Sequence, residues 1–155
     1  MTQADSDRKS AEGADVIAAC RRLHAAIDGL DQAAADLLGV SRNDLRCLNL
    51  LEHGPLPPSH LAVSLGITPG SVTALIDRLE GKGLVERARA PHDRRGVLVS
   101  ATPLVFRSIG ALYRSCAVAL HDMAMTYSAA ERASAVRHLG HAAAAWEAAV
   151  ELGND

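Results

Sequence analysis

Two hydroxyls and a run of arginines carry the chemistry of this chain. Ser71 and Thr73 follow a Thr68-Pro69 pair, where free backbone N–H groups at a helix start and nearby hydroxyls meet phosphates or base edges. From Arg78 to Arg95 there are six basic residues (Arg78, Lys82, Arg87, Arg89, Arg94, Arg95) against three acids (Glu80, Glu86, Asp93). Such guanidinium groups neutralise phosphates or pair with carboxylates. This is the chemistry of holding a polyanion such as DNA. Catalysis has no comparable signal: there is no G-x-S-x-G, P-loop or dinucleotide fingerprint, and His92-Asp93 falls in a basic loop.

The elements that must position these groups read as a helix, a tight turn and a hairpin. Thr68 accepts a hydrogen bond from an orphan N–H, Pro69 suits the first helical position, and Val72, Leu75, Ile76 and Leu79 share one face. Gly81 and Gly83 end the helix, and two strands follow, Leu84 to Arg89 and Gly96 to Ser100, with a tip from Ala90 to Arg95.

Upstream, Val16, Cys20, Leu23, Ile27, Leu30, Ala34 and Leu37 alternate steps of four and three, a helical seam that ends at Gly39. Ser41 and Asp44 form a capping-box-like pair opening a helix with Leu45, Leu48 and Leu51 inward. After the proline-rich connector Gly54 to Pro58, Ser59 is expected to cap a short helix, His60 to Leu65. This helix, the turn Gly66-Ile67-Thr68 and the Pro69 helix fit a helix-turn-helix. Thr102-Pro103 repeats the cap-plus-proline device before a long helix, and Ser128 with Glu131 makes a capping box for a last one carrying Val136, Leu139, Ala143, Trp146 and Val150.

The 155 residues suffice for one domain or two small units sharing a core. The chain is 48% apolar but only 3% aromatic, which favours closely packed, alanine-rich helices. A net charge of −2 means that any affinity for DNA comes from charge placement. Cys20, Cys47 and Cys116 contain no CxxC pair, so a reducing compartment is expected rather than a disulfide framework. With no apolar signal core and no membrane-length apolar run, the expectation is a soluble, cytoplasmic protein.

The segment LRCLNLLEHGPLPPSHLAVSLGITPGSVTALIDRLEGKGLVER, followed by DRRGVLVSATP, resembles the MarR family of bacterial winged-helix transcriptional regulators. The family's D-x-R pattern at the wing tip is matched by Asp93 and Arg95, whereas Ala101 stands where a leucine is usual. Ala74 occupies a reading-helix position where relatives often carry a longer polar or basic side chain. The resemblance implies a mainly α fold with a small β-hairpin wing (α+β). Residues 1–10 would be a flexible start, 11–39 a dimerisation helix, 41–102 the winged helix-turn-helix, and 103–152 the C-terminal helices of the dimerisation region. It also implies a homodimeric repressor, bound to double-stranded DNA and released by a small-molecule effector. The expected DNA-binding residues are Ser71, Thr73, Arg78, Arg87, Arg89, Asp93, Arg94 and Arg95. Arg95 would enter a minor groove with Asp93 holding it, and Arg78 would touch DNA or else pair with Asp77 or Asp93. His24, Arg46 and Tyr113 are the groups proposed for the effector pocket.

No catalytic residue, metal or cofactor is expected. His138 and His141 are three apart on a helix, with His121-Asp122 nearby, but lack a third ligand at recognisable spacing. Cys20 lies on an apolar seam, where a buried thiol is ordinary. The rival readings are a winged-helix protein-interaction module without DNA binding, and a zinc- or redox-responsive regulator of the same fold.

Overall fold

The computed structural model describes the backbone of residues 3–90 and 93–152, and the side chains of residues 14–89, 96–150 and 152. Its elements are α1 (Gln3–Leu38), α2 (Arg42–Leu50), a 3-10 turn (Leu51–His53), α3 (Pro58–Leu65), α4 (Pro69–Gly81), β1 (Val85–Ala90), β2 (Asp93–Ala101), α5 (Pro103–Met125) and α6 (Ala129–Leu152). The fold is mainly α with one antiparallel hairpin, as expected.

The chain divides into two compact units: Ile27–Arg114, and Met1–Ala26 with Ser115–Asp155. The first holds the core, a cluster that includes Ala34, Leu45, Leu48, Leu61, Val72, Ile76, Leu79, Val85, Val99 and Ile109. α4 contributes the predicted face, Val72, Leu75, Ile76 and Leu79, all buried. In the second unit no described side chain is buried, and Val16, Leu23, Met123, Val136, Leu139, Trp146 and Val150 are exposed.

Local chemistry explains most helix ends. Ser41 and Asp44 form a true capping box, as do Ser128 and Glu131. Thr68 accepts from the Ser71 N–H at 3.2 Å. Gly66 adopts a left-handed conformation (φ 66°) that closes α3 and sets the turn into α4. Four details differ from expectation. α1 starts at Gln3 rather than near Ala11, because its polar first turns contain no helix breaker. The cap of α3 is extended Pro57 rather than Ser59, with Pro58 taking the first helical position for which its fixed φ is suited. Leu56, between two prolines, is extended and exchanges main-chain hydrogen bonds with Val99 at 3.0 and 2.9 Å. Finally, β2 begins at Asp93, so the strands reach into the stretch expected to be a loop.

Candidate nucleic-acid interface

The buried stripe of α4 determines what its other face offers. With Val72, Leu75, Ile76 and Leu79 facing inward, Ser71, Thr73, Ala74, Asp77 and Arg78 are exposed. Ser71 and Thr73 are therefore both accessible, two residues apart and so towards opposite edges of the exposed side of α4. The Ser71 hydroxyl lies 2.9 Å from that of Thr68, and the Thr73 hydroxyl donates to the Pro69 carbonyl at 3.0 Å. Each oxygen keeps acceptor capacity beyond that bond.

Among the described residues the carboxylate partner of Arg78 is Asp44 rather than Asp77; the Asp93 side chain lies outside them. The Arg78 Nη2 and Nε donate to the two carboxylate oxygens of Asp44 at 2.6 and 3.4 Å. Asp44 is the one buried charged residue among the described residues, 3% exposed. Burial pushes its carboxyl up, but hydrogen bonds from Arg78 and Ser41 and the guanidinium charge outweigh that and hold it below its ordinary range.

Arg87 is also committed elsewhere than the sequence suggested. It stands across from buried Val99 in the hairpin register, so it shares the face turned to the core. There its guanidinium pairs with Asp77 and Glu80 of α4, and those partners raise its affinity for its proton. This arginine fastens β1 to α4. Its guanidinium is thus held by two carboxylates, where the sequence suggested a phosphate contact. Arg89, paired in register with Val97, is exposed and has no carboxylate partner among the described residues. Asp93, Arg94 and Arg95 lie on β2 by their backbone, while their side chains fall outside the described residues.

The three residues proposed for an effector pocket do not line one cavity. Tyr113 lines a cavity of about 380 Å³ with Leu48, Asn49, Glu52, His53, Val105 and Ile109, and its hydroxyl donates to Asp31 at 3.1 Å. Arg46 borders a different depression, with Leu50 and Ser64. His24 belongs to the other unit, where its ring meets that of Trp146 edge to face with centroids 5.9 Å apart.

Among the described residues no three His, Cys, Asp or Glu side chains cluster as metal ligands. His138 Nδ1 lies 2.7 Å from the Ser134 carbonyl, a local helical contact. Cys20 and Cys116 are half-buried, and Cys47 is fully buried. No single described helix is long and apolar enough to cross a membrane. Sequence reasoning missed Asp44 as the partner of Arg78, and Asp77 and Glu80 as the partners of Arg87. Strand alternation placing Arg87 on the Val85 face was the available signal for the last two.

A family model described as the MarR family matches residues 38–96. An uncharacterized HTH-type transcriptional regulator of Bacillus subtilis (strain 168), YcgE, is 36% identical over 121 residues, covering 77% of this chain and 79% of that protein. The crystal structure of RV1404 from Mycobacterium tuberculosis superposes with a TM-score of 0.65 at 26% identity, covering 85% of this chain and 90% of its own. A point mutant of MepR from S. aureus, bound to an oligodeoxyribonucleotide, shares the fold with a TM-score of 0.54 at 17% identity, over 81% of this chain and 94% of its own.

Proposed function

The chain belongs to the MarR family of DNA-binding transcriptional regulators, and we propose that it works as a homodimeric repressor of a pseudo-palindromic operator. Each α4 enters a major groove and each hairpin reaches a flanking minor groove, with half-sites about one helical turn apart. The observation that carries this reading is the exposed face of α4, Ser71, Thr73 and Ala74, beside a hairpin bearing Arg89, Arg94 and Arg95. Ser71 and Thr73 serve phosphate or base contacts, and the hairpin arginines supply the salt-dependent grip. Arg95 goes into the minor groove, with Asp93 restraining its guanidinium.

The exposed apolar residues of α1, α5 and α6 in the Met1–Ala26 and Ser115–Asp155 unit support a dimer, since large apolar surfaces call for a partner. The cavity bordered by Tyr113 supports release by a small-molecule effector, which would shift the population towards a form that fits the operator poorly.

A gel-shift titration on DNA upstream of the protein's own gene tests the reading. Wild-type affinity is expected to fall steeply with salt, and Arg95→Ala to reduce the log–log slope by about 0.9 per lost phosphate contact. Equal, weak binding by both proteins at every salt concentration would sink the reading.

A further inference from the structure

The apolar face of α4 holds the helix against the core, but apolar contact is non-directional and does not by itself set the roll to hydrogen-bond accuracy. Side chains reach about 5–6 Å from a helix axis, so a roll of a tenth of a turn moves their tips by about 3 Å, a hydrogen-bond length. Reading base edges demands a finer setting than burial gives.

Asp44 and Arg78 provide a directional contact. The Asp44 carboxylate is anchored in α2, where it accepts from the Ser41 main-chain N–H at 3.1 Å as part of the capping box. It then takes two N–H groups from Arg78 on α4, at 2.6 and 3.4 Å. The arginine also folds back towards the Ala74 carbonyl, 3.5 Å from Nη1, on the surface shared with Ser71 and Thr73. The Asp44 side chain is 4% exposed and that of Arg78 51%. One end of the bridge is therefore fixed in the core and the other emerges on the reading face. A forked guanidinium on a carboxylate constrains orientation as a point charge does not.

We infer that Asp44 is a positioning residue for DNA reading: acting through Arg78, it sets the roll of α4 about its axis and so aims Ser71 and Thr73. This rests on α4 being the reading helix. It assigns Arg78 to the protein's own interior contact and not to a phosphate.

The test compares Asp44→Asn, Arg78→Gln, Arg78→Lys and the Asn/Gln double variant. Each is titrated in full-length form against a duplex selected by the wild-type protein from a random pool, and against a scrambled duplex. Thermal unfolding of each variant checks folding. Asp44→Asn and Arg78→Gln are each expected to lose about tenfold affinity for the selected duplex, with scrambled affinity nearly unchanged and the double variant no worse than the singles. Arg78→Lys is expected to restore part of the discrimination, and Arg78→Gln to keep the wild-type salt slope. A slope lower by about 1 in Arg78→Gln, with equal losses on both duplexes, would put Arg78 on a phosphate and overturn the inference. So would variants that melt earlier yet keep wild-type discrimination. If Asp44→Asn does not fold, the half-exposed Arg78 variants decide alone. Failure of the wild type to select any duplex would remove the reading role of α4 and this inference with it.

Discussion

The Thr102 hydroxyl donates to the Gly83 carbonyl at 2.7 Å, and the Thr102 main-chain N–H donates to the Leu84 carbonyl at 2.9 Å. Sequence alone casts Thr102 as the cap of its own helix. Its hydroxyl instead ties the start of α5 to the turn that leaves α4, at the base of the hairpin. The tie holds a turn in which Gly83 sits in the left-handed region, φ 69°.

Two glycines in this turn should respond with opposite signs. Gly83→Ala puts a side chain on a left-handed backbone and should cost about 1–2 kcal/mol, although its Cβ would meet nothing within 4 Å. Gly81→Ala, at the end of α4 with equally open space, should be neutral or gain about 0.5–1 kcal/mol. Urea denaturation of both variants checks this, and equal destabilisation would refute the conformational account. Thr102→Val removes the tie to Gly83 and should cost about 1 kcal/mol.

Asp77 and Glu80 are the carboxylates that occupy Arg87. Removing one of them should free positive charge beside the interface. Asp77→Asn is expected to tighten binding to selected and scrambled duplexes alike at low salt, with the gain shrinking as salt screens it. Because Asp77 is exposed and Glu80 still pairs with the half-buried Arg87, stability should change by less than about 1 kcal/mol. A gain confined to the selected duplex would contradict this account.

Cys47 is fully buried, and burial, then the Asp44 carboxylate, push its thiol up to about 11. Thiolate is the reactive form, so this cysteine should be inert near pH 8. In the native protein a chromogenic disulfide reagent should leave Cys47 unmodified until denaturant is added, as peptide mapping would reveal. Rapid native labelling of Cys47 would show that the core opens around α2.

Tyr113 is pushed up to about 12, chiefly by burial and then by its hydrogen bond to Asp31. The neutral phenol is the form the folded state favours. Its contribution to stability is therefore fully present below the ordinary value of 10.0 and is lost as pH rises towards 12. Tyr113→Phe should lack this alkaline loss, so the stability gap between the two proteins should narrow above pH 10. A constant gap would mean that neither burial nor Asp31 disfavours ionisation of this phenol in the folded state.

What the sequence revealed was local. Thr68, the Ser41–Asp44 box and the Ser128–Glu131 box act over three residues, and their side-chain chemistry names their role. The buried face of α4 follows from its period alone. The arginine partners did not, because Asp44 and Arg78 are 34 residues apart and no periodicity joins α2 to α4. Leu56 was hidden for the same reason: its strand partner Val99 lies beyond the helix-turn-helix. In the seam of α1 the repeat predicted a face to be covered, yet only Ala34 of its members is buried in the single chain, with Leu23, Ile27 and Leu37 exposed. Periodicity marks such a face without saying what lies against it.

That uncovered surface leads to the last prediction. On α6, Val136 is 71% exposed, and Leu139, Trp146 and Val150 are exposed with it. Full burial of a Val or Leu side chain yields about 1.5–3 kcal/mol, so several together can hold two chains. The wild type is expected to sediment at twice 16.3 kDa, and Val136→Asp with Leu139→Asp to shift it towards the monomer. The core cluster contains neither residue, so helix content should survive the change. DNA affinity should fall far more than one subunit's contacts explain, because a dimer joins two half-site contacts at high effective concentration. A wild-type protein that sediments at 16.3 kDa while binding a two-half-site duplex tightly would separate DNA reading from pairing.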